Sequence, residues 1–223
     1  MKDRLINIFK TIGLFLLFFE IAYIPMKLFN IKIETELELI IYSFCCNIAF
    51  LIVIVACYFK TLKKDFKPFF KSFWKNFEES FKYYIIGLGI MIASNLIISL
   101  IVGGSAADNE ELVRSSIDLA PFLMFIEVSI YAPLAEELLF RKSIKEVVKN
   151  KWLYIFISGF IFGALHVIGT ENPLEYLYLI PYCSLGFTFA YIYSKTNNIY
   201  STISIHAAHN TITMLLYLIG VSL

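Results

Sequence analysis

With 223 residues the chain has the length of one domain, but its composition, 59% hydrophobic and 17% charged, lies well outside the soluble globular range of ~45–50% apolar and ~25% charged. A mean hydropathy of +0.73 excludes a protein held in solution by a polar surface, and a net charge of +1 leaves no basic footprint for nucleic acid.

About seven apolar stretches approach the ~20 residues a bilayer core requires, at 11–29, 39–59, 83–102, 119–140, 152–169, 176–194 and 199–221. No strand-like alternation marks a β-barrel, so the expected fold is all-α, a polytopic transmembrane helical bundle forming a single membrane domain over 1–223. The first stretch is too long for a signal-peptide core and no small-residue cleavage site follows it, so it is expected to stay with the chain.

Between the second and third stretches, the segment 60–82 reads KTLKKDFKPFFKSFWKNFEESFK. Phe66, Phe70, Phe73, Phe77 and Phe81 recur at spacings of three and four, with lysines filling much of the rest. That pattern predicts one amphipathic helix lying in the membrane interface, either as an anchor or as a surface that gates substrate.

The connections 1–10, 60–82, 141–151 and 195–198 carry most of the lysine and arginine, whereas 30–38, 103–118 and 170–175 are net acidic. Basic connections collect on the cytoplasmic side, which predicts a cytoplasmic N-terminus in a multi-pass protein; the membrane expected is that of a prokaryotic cell. Cys45, Cys46, Cys57 and Cys183 all lie in apolar stretches without metal-ligand spacing and read as buried thiols.

Ionisable groups inside a bilayer are rare and mark function by default. They concentrate in the second half. Glu136 and Glu137 are adjacent and so point ~100° apart on a helix, while Arg141 stands four residues after Glu137 on the same face. Glu137 and Arg141 can neutralise one another. Glu136 has no such local partner, and a carboxylate in a low-dielectric cavity makes the stronger base. The bland alternative is a pair of solvated charges at the interface near Lys142 and Lys145.

In the fifth stretch Phe162 and His166 share a face, and Gly159 with Gly163 allows another helix to approach closely. In the last stretch His206 and Asn210 share a face, and His209 is the ambiguous neighbour, expected outside a shared cavity or at its edge. Taken singly, each group could simply hydrogen-bond a neighbouring helix. Their depths agree, however, and predict one cavity reached by water from the cytoplasmic side.

In that order on successive late spans, Glu136-Glu137-x-x-x-Arg141, Phe162-x-x-x-His166 and His206-x-x-x-Asn210 resemble the CAAX-protease and bacteriocin-processing (CPBP) family, which includes type II CAAX prenyl endopeptidases and Abi-type bacterial membrane proteases. The resemblance covers roughly 119–215, the expected catalytic core. It implies an intramembrane endopeptidase in which Glu136 activates water, His166 holds and polarises that water, and His206 with Asn210 stabilises the oxyanion. Glu137, Arg141 and Phe162 would support them.

If a divalent metal such as zinc takes part, Glu136, His166 and His206 are its candidate ligands, though a water activated by glutamate suffices chemically. Implied partners are membrane lipids and a peptide or protein substrate: a prenylated tail, a signalling-peptide precursor or a bacteriocin leader. The competing classes are a non-catalytic scaffold or bacteriocin-immunity factor and a small proton-coupled transporter. Against the last stands the lack of an internal repeat.

Overall fold

The computed structural model describes residues 2–103, 106–170 and 172–221, and within them the chain is helical with no strand. Helix α1 (Lys2–Glu20) breaks at residues 21–22 into the short α2 (Tyr23–Leu28). Thr35 opens α3 (Glu36–Lys71) with a capping box: its side chain accepts from the Glu38 N–H, and the Glu38 carboxylate accepts from the Thr35 N–H at 3.2 Å. Helix α4 runs Phe73–Val102 and the polar α5 spans Asp108–Leu119.

The next rod, 121–147, changes pitch twice: α6 (Pro121–Ile126), a π-helical turn (Glu127–Tyr131), α7 (Ala132–Glu136), a second π-helical turn (Glu137–Ser143) and α8 (Ile144–Val147). Helices α9 (Lys151–Leu165), α10 (Leu179–Thr196) and α11 (Ile199–Leu218) complete the bundle, with a 3-10 turn (Pro173–Tyr178) before α10.

The apolar face of α4 has no protein partner along much of its length: Ile86, Leu96, Ile97 and Leu100 are 63%, 63%, 60% and 86% exposed. Such a surface is at rest only among acyl chains. Helices α3 and α4 are each long and apolar enough to cross a membrane. All seven apolar stretches of the sequence are helical, but the others are shorter, interrupted or less apolar, so the count of seven spans goes beyond these two helices.

The segment 60–82 is not one interfacial helix. Its first half extends α3, and its second half begins α4 after a break at Ser72 (φ −133°, ψ 44°). Pro68 cannot donate to the helix ladder, and the Asn76 amide reaches back to the carbonyls of Pro68 (3.3 Å) and Phe69 (2.8 Å), satisfying the last turn of α3. The aromatic period survives the break: Phe70–Phe73, Phe73–Phe77 and Phe77–Phe81 stack at 6.1, 5.7 and 6.1 Å. Ser80, within the same segment, is fully buried.

The core forms around the second π turn. Leu138, Leu139 and Phe140 pack against Phe50, Ile54 and Tyr58 of α3, Tyr154 and Phe162 of α9, and Ala190 and Tyr193 of α10. Helices α9 and α10 touch backbone to backbone, as the glycine spacing predicts. A Cβ on Gly163 would come within 2.8 Å of the Cys183 nitrogen, and one on Gly159 within 2.6 Å of the Phe187 nitrogen.

Candidate active site

Glu136 closes α7 and Glu137 opens the wider π turn, which separates their environments further than a regular helix would. Glu137 and Arg141 are wholly buried, with the carboxylate Oε2 3.1 Å from the guanidinium Nε. The bland alternative of two solvated charges is thereby excluded. The pair is an ion contact rather than a straight hydrogen bond, since neither of those two atoms makes one. Arg141 Nη1 donates to Ser158 Oγ at 3.4 Å, and Ser158 in turn donates to the Phe140 carbonyl at 2.7 Å. The guanidinium lies 4.6 Å from the Phe162 ring and 5.6 Å from that of Phe189, so its charge is held by π faces as well as by Glu137.

His206 joins the two glutamates. Its Nδ1 is 2.9 Å from Glu137 Oε1, and its Nε2 is 3.9 Å from Glu136 Oε2. A carboxylate can only accept, so Nδ1 carries a proton and Nε2 faces Glu136. The ring is buried and stacked on Phe189 at 4.8 Å. Arg141, Glu137 and His206 thus form a chain of contacts whose end is presented to Glu136, which alone of the two glutamates lines a cavity.

His166 caps α9. Its Nδ1 is 2.8 Å from the Phe162 carbonyl, which requires Nδ1–H as donor, and the ring lies between Phe162 and Tyr182 with both centroids at 4.6 Å. In its neutral form Nε2 therefore carries the lone pair.

Asn210 is fixed by the first π turn. The Ala132 N–H bonds to the Glu127 carbonyl, and Pro133 has no N–H, so the Val128 carbonyl loses its helical partner. The Asn210 amide supplies the missing donor at 3.0 Å, leaving one N–H of that amide uncommitted.

Glu136, Phe162, His166, His206 and Asn210 line one cavity of ≈ 550 Å³. His209 lines it too, and its Nδ1 is 2.8 Å from the Tyr84 hydroxyl, so it ties α11 to α4 from within the wall rather than standing outside. Among the described residues the lining of the cavity comes from the first turns of α3, from α5, and from the rod and α9–α11 at and beyond the site, with none from the basic connections.

Two further carboxylates contribute: Glu127, an ionisable group inside an apolar stretch to which the sequence assigns no role, and Asp65, which escaped the sequence reading. Glu127 lines the cavity and accepts from Asn47 of α3 at 2.6 Å. Asp65, hidden within the basic 60–82 pattern, is buried: its Oδ2 accepts from the Ile199 N–H at 3.0 Å and its carbonyl from the Asn198 amide at 2.8 Å, setting the start of α11 and so the phase of His206 and Asn210. An acidic residue among lysines that is followed by aromatic core positions was the only available signal.

The donor types suit zinc, but their placement does not. No group of three His, Cys, Asp or Glu side chains among the described residues converges as a metal site, although the Nδ1 contacts of His166 and His206 leave the Nε2 of each ring available.

The fold and site define a helical membrane protein with an internal cavity lined by acid, imidazole and amide groups. Residues 118–212 match the family model described as type II CAAX prenyl endopeptidase Rce1-like, so the late helices are similar to that family. It is 30% identical over 142 residues (62% of this chain, 49% of the relative) to "Putative membrane peptidase YdiL" of Bacillus subtilis strain 168. It is 35% identical over 83 residues (37% of this chain, 44% of the relative) to "UPF0177 protein YxdF" of Lactococcus lactis strain IL1403. The matched part spans less than half the length of these relatives. No solved structure matches the chain.

Proposed function

We propose that the protein is an intramembrane endopeptidase of about seven spans that hydrolyses peptide bonds with water activated at Glu136. The observation that carries this is the split between the adjacent glutamates: Glu137 is sealed in an ion pair with Arg141, while Glu136 lines the cavity 3.9 Å from His206.

Each group then has a task. Water is held by two acceptors, the Glu136 carboxylate and the bare Nε2 of His166, so both its protons are engaged and an oxygen lone pair is free to attack the scissile carbonyl. Glu136 takes the proton and later delivers it to the leaving amine. The uncommitted N–H of Asn210 donates to the developing oxyanion. His206 can add a second donor from Nε2 only as the imidazolium, because Nδ1 already donates to Glu137. The Glu137–Arg141 pair holds that ring in place. Substrate classes compatible with the site are a prenylated tail, a signalling-peptide precursor and a bacteriocin leader.

N-terminal proteomics of membranes from a host expressing the wild type or Glu136→Gln tests the reading. New peptide N-termini should occur with the wild type and vanish in the variant. Identical N-terminal profiles would leave the scaffold reading in its place.

A further inference from the structure

We propose that the catalytic cavity opens on the extracytoplasmic face through an acidic mouth, so that its substrates are cationic peptide segments presented outside the membrane rather than tails in the cytoplasm. This rests on the peptidase reading and narrows its substrate.

The floor decides the direction. Toward the basic connections the site is closed by Glu137, Leu138, Leu139, Arg141, Phe189 and Ile192, none of which has measurable exposure. Neither water nor a peptide can pass through that layer without unfolding it. Away from it the cavity continues past Glu127 and Asn47 to the first turns of α3 and to α5, where Ser43, Asn109 and Ser116 line its far end. These belong to, or directly follow, the acidic connections. By the distribution of lysine and arginine, that end of the bundle lies outside.

The mouth also has a sign. Helix α5 carries Asp108, Glu110, Glu111 and Asp118 against a single cation, Arg114, whose Nε is paired with Glu110 at 3.0 Å and whose guanidinium lies 5.5 Å from the Tyr217 ring. The acidic connection just before the lining residues Leu39 and Ile40 of α3 adds Glu34, Glu36 and Glu38 against Lys32. Deeper in, Glu127 and Glu136 follow, and Arg114 is the only lysine or arginine among the described lining residues. An acidic mouth with low-dielectric walls concentrates cations and repels anions. A basic peptide enters down this gradient; an acidic one meets like charge at every level.

The test uses a variant with all four cysteines replaced by alanine, carrying Ser116→Cys on the cavity face of α5 or Lys149→Cys in the basic connection as the opposite-face control. Two membrane-impermeant methanethiosulfonates, one bearing a trimethylammonium and one a sulfonate, are applied to spheroplasts and to inside-out vesicles. The account expects Ser116→Cys to react in spheroplasts and Lys149→Cys only in inside-out vesicles. At Ser116→Cys the cationic reagent should be roughly ten-fold faster than the anionic one, after normalising to a free thiol. Asn109→Cys repeats the measurement should Ser116→Cys fail to accumulate. Reaction of the cavity cysteine from the inner face alone, or equal rates for the two reagents, overturns the proposal. The readout needs no catalysis, so the mouth stands or falls separately from the peptidase reading, which the Glu136→Gln comparison decides.

Discussion

Replacing Glu137 by glutamine removes one charge from a pair that has no contact with solvent. Arg141 would keep its cation in a site with no measurable exposure, where the remaining support is the Ser158 hydroxyl at 3.4 Å and the faces of Phe162 and Phe189. Breaking a buried pair from one side costs about 3–5 kcal/mol. Glutamine keeps an oxygen that can accept from His206 and approach the Arg141 Nε, so Glu137→Gln should lie near ~3 kcal/mol and Glu137→Leu near ~5 kcal/mol. For a chain of this size ~3 kcal/mol corresponds to a fall in Tm of about 6–12 °C. The assay is thermal unfolding of detergent-purified protein followed by tryptophan fluorescence. The double variant Glu137→Leu/Arg141→Met should recover more than half of the loss suffered by Glu137→Leu alone, because it removes the stranded cation. A Tm drop below about 2 °C for Glu137→Gln, or no recovery in the double variant, would refute the claim that this pair organises the core.

Glu136→Gln, by contrast, should shift stability by less than about 1 kcal/mol while lowering peptidase activity by about 10²–10⁴-fold, since the side chain borders the cavity rather than the core. Gly159→Ala should destabilise by about 1–3 kcal/mol, read from the same unfolding curves, because the new Cβ would sit 2.6 Å from the Phe187 nitrogen. In the basic connection, burial and then the like charge of Lys142 push the Lys145 ammonium down to about 8. The unfolded chain holds that proton up to about pH 10, so between pH 8 and 10 it binds more protons than the native state and stability should rise with pH. Lys145→Met should flatten that rise in a Tm series; an unchanged slope would assign it to other groups.

What the sequence could and could not announce follows from range. The pairing of Glu137 with Arg141 and the separate facing of Glu136 are properties of one helical turn, legible from spacing four. The close approach of α9 and α10 was equally local, since two glycines four apart leave no other use for that face. The contact of His206 with Glu137 joins residues 69 apart in sequence, and no spacing rule reaches it. The first π turn depends on Pro133 together with a carbonyl that Asn210 happens to reach, a tertiary rescue of a local defect. The 60–82 segment misled for the same reason. Its aromatic period is real, but Pro68 and the Asn76 cap divide it, and Asp65 within it serves α11. The direction of the cavity turned on which end of the bundle is packed solid, a property of the whole core rather than of any motif.

The central claim, that Glu136 activates water for peptide hydrolysis while Glu137 serves structure, meets its most direct test in reconstituted protein. Proteoliposomes carrying wild type, Glu136→Gln or Glu137→Gln, matched for folded fraction, would be incubated with a defined peptide library in ¹⁸O-enriched water and the products read by mass spectrometry. The account predicts cleavage by the wild type with one ¹⁸O in each new carboxylate, none by Glu136→Gln, and residual cleavage by the folded fraction of Glu137→Gln. Undiminished cleavage by Glu136→Gln, or its loss in Glu137→Gln alone, would contradict it.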